Sequence, residues 1–406
     1  MSLIAEAPAG APPGAARALL LGNFAIGCGV MVVAGSLNDL TRSLQVSVAV
    51  AGQLITAAAL AMSLGAPLLA ALLAGFDRRR LLTFALLWYA VGHAISALSP
   101  DYAWLLPVRA LTMLAAAVFT PQAAAAIAWL APPAARGKAI TYIFLGWSVA
   151  SVFGMPLHSF IGEALGWRYA FALVSALALA GAWAVWRSVP DDIRPPPLRL
   201  AQWREVLTHP VLMAMVAVTA LSGSGQFTLF AYFAPIYRQA LGATPVEVSL
   251  LFFWFGGFGL LGNVLLSHHV DRFGAGRAVN WLLGLMAVSI LFWPLATSVW
   301  IMPLVLLPWA FAGFASNSAQ QARLGSTAPE LAPALMALNT SAIYLGQALG
   351  AGGGGAMVAA NQALGQSPYA GLHWPALGWM LLAIALSLWV SRQVRRQRAA
   401  AHEQQP

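Results

Sequence analysis

Ionisable side chains inside long apolar stretches are the residues of this sequence whose chemistry is most informative. Arg109 lies in LLPVRALTMLAAAVF, and His158 lies in LGWSVASVFGMPLHSF. A histidine titrates near pH ~6.5 when unperturbed, so it can take up and release a proton. A charged or titratable group in an apolar segment is costly and by default indicates function. We therefore predict that Arg109 and His158 take part in proton exchange, the alternative being hydrogen bonding within the packed interior.

Carboxylates are placed differently from these two residues. None of the twelve acidic residues lies near the centre of an apolar stretch, and the first stretch has only Asp39, at its far end. Asp39 is a third candidate for proton exchange. A cation would need a central carboxylate, so the sequence predicts a neutral or anionic partner molecule. Arg323 and His93 lie toward the ends of their stretches, where we expect them to reach the polar surface.

Catalytic and metal chemistry are not indicated. The chain has a single cysteine, Cys28, which excludes an intrachain disulfide and a cysteine-rich metal site. Cys28, His93 and His158 fall on separate stretches without ligand spacing, and no carboxylate joins them. We predict no enzyme activity, cofactor or metal. A membrane sensor is the alternative from another class, and we expect the tails to be too short for a soluble signalling domain.

Composition shows which elements must position these residues. The 406 residues are 60% hydrophobic and 8% charged, whereas soluble domains carry roughly 25% charged residues. Runs of ~17–25 apolar residues are long enough to cross a bilayer as helices. The sequence predicts an all-α integral membrane protein with twelve transmembrane helices, near residues 18–38, 48–73, 81–99, 103–129, 139–162, 168–188, 210–236, 248–268, 279–297, 300–324, 334–360 and 374–391.

Basic residues fix the predicted orientation. With the N-terminus in the cytoplasm, 16 of the 21 lysines and arginines fall on the cytoplasmic side and three outside. A bias of this size predicts that both termini are cytoplasmic. The net charge of +9 therefore reflects topology and a weak attraction to anionic lipids, and we expect no nucleic-acid partner.

The chain also repeats itself. GAPLLAALLAGFDRRR at 65–80 and GNVLLSHHVDRFGAGR at 262–277 are 197 positions apart, and 108–121 corresponds loosely to 308–320. Repeats of this kind are typical of secondary transporters. We predict an N-terminal tail (1–17), a six-helix bundle (18–188), a cytoplasmic linker with a short interfacial helix (189–209), a second six-helix bundle (210–391) and a basic tail (392–406), with the two bundles pseudo-symmetric.

These motifs resemble the major facilitator superfamily. DRFGAGR at 271–277 resembles the signature cytoplasmic loop of that family, and AGFDRRR at 74–80 is a degenerate copy. LLPVRALTMLAAAVF resembles the second motif, with Arg109 as its arginine. Residues 145–171 resemble the antiporter motif of sugar and drug efflux proteins, carried here by Gly146, Gly154 and Pro156. Close helix packing is the alternative reading of these glycines.

The resemblance implies a bacterial inner-membrane transporter that works by alternating access. The expected activity is proton-linked efflux of a drug, sugar or metabolite by a monomer, and uptake or facilitated diffusion is the alternative. The expected gating residues are Asp271, Arg272, Gly274, Arg277, Arg78, Arg79 and Arg80. Placed polar and aromatic residues predict the substrate contacts, with hydrogen bonding between helices as the alternative: Gln226, Phe230, Phe233, Asn317, Gln320, Asn339 and Gln347.

Overall fold

A computed structural model of the chain describes residues 12–73, 75–132, 135–194 and 200–403. The described residues are almost entirely helical and contain no strand. Nine helices among them are long and apolar enough to cross a membrane. Of the predicted tails and linker, residues 1–11, 195–199 and 404–406 lie outside the described residues.

Helices occupy all six predicted positions of the first half. A short helix, α2, extends the first one, and a π-helical turn at Ala150–Gly154 separates α6 from α7. The bounds are α1 Pro13–Gly35, α2 Leu37–Leu44, α3 Val48–Leu72, α4 Arg78–Leu98, α5 Tyr102–Leu130, α6 Arg136–Val149, α7 Met155–Ala164 and α8 Trp167–Ser188. Pro156 lies two residues after the π turn, at the second residue of α7. Proline has no N–H to donate, so a wider turn at this point is the expected local response.

The second half has the same order. Helix α9 lies in the predicted linker. The predicted seventh span is α10, followed by a short helical segment at 233–240. The bounds are α9 Leu200–Thr208, α10 Pro210–Phe230, α11 Pro245–Phe273, α12 Ala275–Leu291, α13 Met302–Thr327, α14 Ala332–Ala363 and α15 His373–Glu403.

The described residues pack into two compact units. The first contains residues up to 194, together with Phe233–Gln239 and Ala243–Phe253. The second contains residues 200–232, Ala240–Gly242 and the chain from Trp254 onward. The segment after α10 and the start of α11, up to Phe253, group with the first unit, whereas the predicted second bundle began at residue 210. The predicted domain bounds stay a prediction.

Glycines let equivalent helices approach closely in each unit. In the first unit, a Cβ at Gly146 would collide with the Leu20 carbonyl of α1. In the second unit, a Cβ at Gly346 would collide with the Ala220 carbonyl of α10. The two glycines are 200 positions apart in the sequence, and so are Leu20 and Ala220, whose carbonyls they meet. The internal repeat is therefore seen in the helix contacts as well as in the sequence.

The two basic loops are shorter than predicted, because the neighbouring helices extend into them. Residues 271–273 end α11, and α12 begins at Ala275, so Gly274 alone is non-helical. Its φ of 78° suits glycine, which has no Cβ to clash in that conformation. In the first half, Asp77 is the N-cap of α4, and its carboxylate accepts a hydrogen bond from the Arg80 N–H at 3.0 Å.

Candidate functional site

Arg109 lies fully inside the first unit. Its side chain on α5 is 1% exposed, and Nη2 donates to the Gly29 carbonyl of α1 at 2.7 Å. Nη1 donates to Nε2 of His93 on α4 at 3.1 Å. The guanidinium also lies 5.8 Å from the centre of the Phe171 ring. No carboxylate pairs with Arg109 among the described residues, so carbonyls, an imidazole and an aromatic face hold this cation.

His93 is held in one tautomer by its two partners. Nδ1 lies 2.9 Å from the Tyr89 carbonyl, which can only accept, so Nδ1 carries the hydrogen. Nε2 faces an Arg109 N–H, which can only donate, so Nε2 is the acceptor. The imidazole is therefore neutral in this arrangement. A proton on Nε2 would place a second donor and a second positive charge against Arg109.

The position expected for His93 was wrong. We expected it to reach the polar surface, and it is 0% exposed. The reason is close packing: a Cβ at Gly29 would fall 2.8 Å from His93 Nε2, so only glycine at that position of α1 leaves room for the ring. His93, Tyr89 and Gly29 belong to the Arg109 site, and sequence reasoning had not grouped them.

His158 lies beside the same site. It is fully buried on α7, and neither ring nitrogen meets the geometry of a hydrogen bond. The backbone of Cys28 and the Arg109 guanidinium act on it electrostatically, and His158 in turn acts on His93. The Gly154 backbone makes room here, since a Cβ at that position would lie 2.9 Å from Cys28 Sγ. Arg109, His93 and His158 thus form one buried group of ionisable side chains.

Asp39 lies outside this group and has structural partners. Its Oδ2 accepts a hydrogen bond from the Trp167 N–H at 2.7 Å, at the first residue of α8. Its Oδ1 lies 3.6 Å from Arg42, which also pairs with Glu163 at 2.6 Å. A carboxylate at a helix N-terminus is a stabilising arrangement. Proton exchange by Asp39 stays a prediction.

The second unit has Trp309 at the position of Arg109 in the internal repeat. Trp309 is 1% exposed on α13, and its Nε1 donates to Gln226 Oε1 on α10 at 3.3 Å. The Trp309 backbone N–H donates to Ser289 Oγ at 2.9 Å, and Ser289 Oγ donates to the Val305 carbonyl at 2.7 Å. Ser289 is thus inserted into the helix ladder at Pro308, and it orients Trp309.

One aromatic ring contacts this indole, and two further rings continue from it. The Phe255 ring lies 6.1 Å from Trp309 in an edge arrangement, and Phe230 lies 5.6 Å from Phe255. Phe227 lies 5.3 Å from Phe230. We name Gln226, Phe227, Phe230, Phe255 and Trp309 the aromatic cluster. It combines apolar walls with one placed amide, which is the usual make-up of a small-molecule site.

The other predicted substrate residues lie in different environments. Gln320 donates to the Met215 carbonyl at 2.5 Å, and Asn339 accepts from Thr219 at 2.6 Å, so both link their helices to α10. Gln347 is buried and Asn317 is half-buried. Phe233 belongs to the segment that packs in the first unit, where its ring lies 5.4 Å from Tyr237. Substrate contact by these residues stays a prediction.

Arg323 also differs from expectation. It was expected to reach the polar surface, and it is 4% exposed inside the second unit. Nη1 donates to Ser387 Oγ at 2.9 Å, and Nη2 donates to Ser391 Oγ at 2.9 Å. Asn280 joins these two hydroxyls. Small serines on α15 let the long arginine side chain fold inward.

The predicted gating residues have unequal roles. Arg78 is buried and donates to the Phe76 carbonyl at 2.7 Å, and Arg79 pairs with Asp191 at 2.6 Å. Arg80, Arg272 and Arg277 are exposed. The side chain of Asp271 lies outside the described residues, so its expected role as a latch stays a prediction.

Known proteins share this architecture. The model of the Major Facilitator Superfamily matches residues 19–351 and 218–401. The chain belongs to this superfamily. It is 30% identical over 380 residues to "Inner membrane transport protein YdhP" of Escherichia coli (strain K12), covering 94% of this chain and 96% of that protein. It is 27% identical over 350 residues to "Probable sugar efflux transporter" of Helicobacter pylori (strain ATCC 700392 / 26695), covering 85% and 88%.

A solved structure confirms the fold. The D-xylose-proton symporter superposes with a TM-score of 0.75 at 19% identity, over 92% of this chain and 96% of that one. The predicted helical membrane fold and family are therefore confirmed. The chain is a multi-pass membrane transporter of a small molecule, and it is not an enzyme.

Proposed function

We propose that this transporter exports a small neutral or anionic organic compound in exchange for protons. Arg109, His93 and His158 of the first unit handle the proton, and the aromatic cluster of the second unit contacts the compound. Alternating access is the working cycle. The observation that carries the proposal is the contact between Arg109 and His93.

That contact makes protonation and arginine position mutually dependent. As long as His93 Nε2 accepts from Arg109, the imidazole stays neutral. A proton arriving at Nε2 removes the acceptor, so the guanidinium must leave His93 and find another partner. Arg109 Nε already lacks a hydrogen-bonding partner among the described residues, which leaves the guanidinium an unused donor. His158, next in the buried group, is the second proton carrier.

The absence of a carboxylate from the centres of the predicted spans supports the substrate class. A cation in the aromatic cluster would face an amide and aromatic rings without a neutralising charge. A neutral or anionic compound meets apolar walls and the amide of Gln226, which the Trp309 indole N–H orients.

The proposed direction of transport and membrane location are based on the relatives, and the proposed orientation is based on the distribution of arginines. One relative is named an inner membrane protein and another a probable sugar efflux transporter. We extend both properties to this chain as proposals. The arginine bias supports cytoplasmic termini. Labelling a single cysteine at Gln397, in a Cys28→Ser background, from each side of sealed cells tests this orientation.

Transport assays in proteoliposomes test the activity itself. A substrate would first be identified by thermal-shift screening of purified protein against sugars and antibiotics. Two rates are then measured for wild type and His93→Gln: transport driven by an imposed pH gradient, and counterflow without a gradient. Glutamine keeps an acceptor for Arg109 and cannot hold a proton. We expect His93→Gln to lose gradient-driven transport and keep counterflow.

The alternatives give different outcomes. A facilitator would show counterflow in wild type and no response to the pH gradient. An uptake carrier coupled to protons would accumulate substrate on the side to which protons move. Gradient-driven transport that His93→Gln leaves unchanged would contradict the proposed proton site.

A further inference from the structure

A lipid-sized groove lies on the second unit between α12 and α15. It is open and has a volume of about 520 Å³. Most of its lining is apolar, from Gly284, Leu285 and Val288 on α12 and from Ile384 and Leu388 on α15. In a membrane protein, an open groove of this composition is suited to a hydrocarbon chain.

One end of the groove is basic and carries a tryptophan. Arg277 and Trp281 line it, and both side chains are exposed. On α15, Arg392 and Arg395 are four and seven residues past Leu388. Residues with that spacing share one face of a helix. Both arginines are exposed, so this face continues from the apolar lining into positive charge. Tryptophan next to arginine is typical of the level of the lipid headgroups.

Acidic residues are scarce in the sequence around this charge, and the nearest along the chain is Asp271, six positions before Arg277. From 272 to 402 the chain has one acidic residue, Glu330. None of the ion pairs formed by the described residues involves Arg277, Arg392 or Arg395. Arg323, buried behind the groove and linked to its Asn280 through Ser387, adds a further cation that has no anionic partner among those residues.

We propose that this groove is a binding site for one anionic phospholipid. The phosphate lies against Arg277 and Arg392, and an acyl chain follows the apolar lining toward Val288. The length fits: Val288 is eleven positions after Arg277 on α12, which is roughly 16.5 Å at a rise of about 1.5 Å per residue. Half the hydrocarbon thickness of a bilayer is about 15 Å. The site accepts one leaflet's chain, and its charge selects an anionic headgroup.

Binding of phosphatidylglycerol to the purified full-length protein tests the proposal. Native mass spectrometry measures how many lipids remain bound at equal concentrations of phosphatidylglycerol or phosphatidylcholine. We expect one retained phosphatidylglycerol and little phosphatidylcholine. The double variant Arg277→Gln/Arg392→Gln should lower retention about tenfold, because arginine–phosphate pairs are strong charge-assisted contacts.

Two further variants separate the groove from general charge. Gly284→Phe fills the apolar part without changing charge, and a Cβ at this position meets no atom within 4 Å. It should also abolish retention. Arg187→Gln/Arg204→Gln removes two exposed charges elsewhere and should retain the lipid. Thermal unfolding confirms that each variant is folded.

Three results would overturn the proposal. Equal retention of both lipids would remove the anionic selectivity. Retention that survives Gly284→Phe would place the lipid elsewhere. A dimer of the chain that Gly284→Phe dissociates would mean that a second copy, and not a lipid, fills the groove.

Discussion

Arg109 in the first unit and Trp309 in the second occupy equivalent places, 200 positions apart, and have different chemistry. Both are buried, and both reach the first long helix of their own unit, Arg109 at Gly29 of α1 and Trp309 at Gln226 of α10. Arg109 touches a histidine, whereas Trp309 is held through Ser289. The shared packing has thus been kept while ionisable chemistry is found on one side and an aromatic and amide surface on the other. Under the proposed function, the two repeats divide labour, with proton handling in the first unit and substrate contact in the second.

Substitutions at the close helix contacts that both units share should cause the largest loss of stability. Gly146→Val and Gly346→Val each push a side chain into a backbone carbonyl of the adjoining helix. Overpacking costs ~1–3 kcal/mol and more where backbone must move. We expect both variants to lose most of the folded protein, to similar extents. Thermal unfolding in detergent measures this.

Gly257→Val is the matched control for that pair, because no atom lies within 4 Å of a Cβ at Gly257. It should unfold close to wild type. A large loss from Gly346→Val alone would mean that the two units do not depend on equivalent contacts.

Removing each buried arginine should separate coupling from stability. Arg109→Gln should lower pH-driven transport at least ~10-fold, since hydrogen bonds to charged groups contribute ~1.5–3 kcal/mol. Arg323→Gln should lower the unfolding temperature and leave the ratio of pH-driven transport to counterflow unchanged, because its partners are serines. Proteoliposome assays measure both rates. A reduced ratio in Arg323→Gln would show that charge in either unit serves coupling.

Trp309→Phe should weaken substrate binding and leave the response of transport to pH unchanged. Phenylalanine keeps an aromatic ring beside Phe255 and loses the N–H that Gln226 accepts. One hydrogen bond contributes ~0.5–1.5 kcal/mol, so we expect the Kd for substrate to rise about 2- to 12-fold. Binding to purified protein gives the Kd. An unchanged Kd together with lost pH response would reverse the proposed roles of the units.

Asp77→Ala should have the smallest effect. Asp77 caps α4 and also accepts from the Ile193 N–H of the linker at 3.0 Å. Loss of a helix cap costs roughly 1 kcal/mol. We expect a modest fall in unfolding temperature with transport retained. Arg80→Gln, which keeps the Arg80 N–H and hence the cap, is the control and should match wild type.

Much of the helical fold was predictable from the sequence, and the interior contacts were predictable only in part. Apolar run length places the spans, but it does not show how deep a side chain lies once glycines bring helices together. His93 and Arg323 were misplaced for this reason, because Gly29 and Ser387 make room that no run length reveals. Trp309 was not predicted as a site residue, although the internal repeat aligns it with Arg109. Reading that alignment residue by residue would have found it.

Proton release on substrate binding tests the central claim most directly. Purified protein in weakly buffered solution, with a pH indicator, is mixed with its substrate at a series of acidic pH values, because the contact with Arg109 keeps His93 neutral until a proton displaces the guanidinium. If substrate at the aromatic cluster drives Arg109 back onto His93, wild type should release a proton, and His93→Gln should bind the substrate without releasing one. The same release from His93→Gln as from wild type would contradict the account.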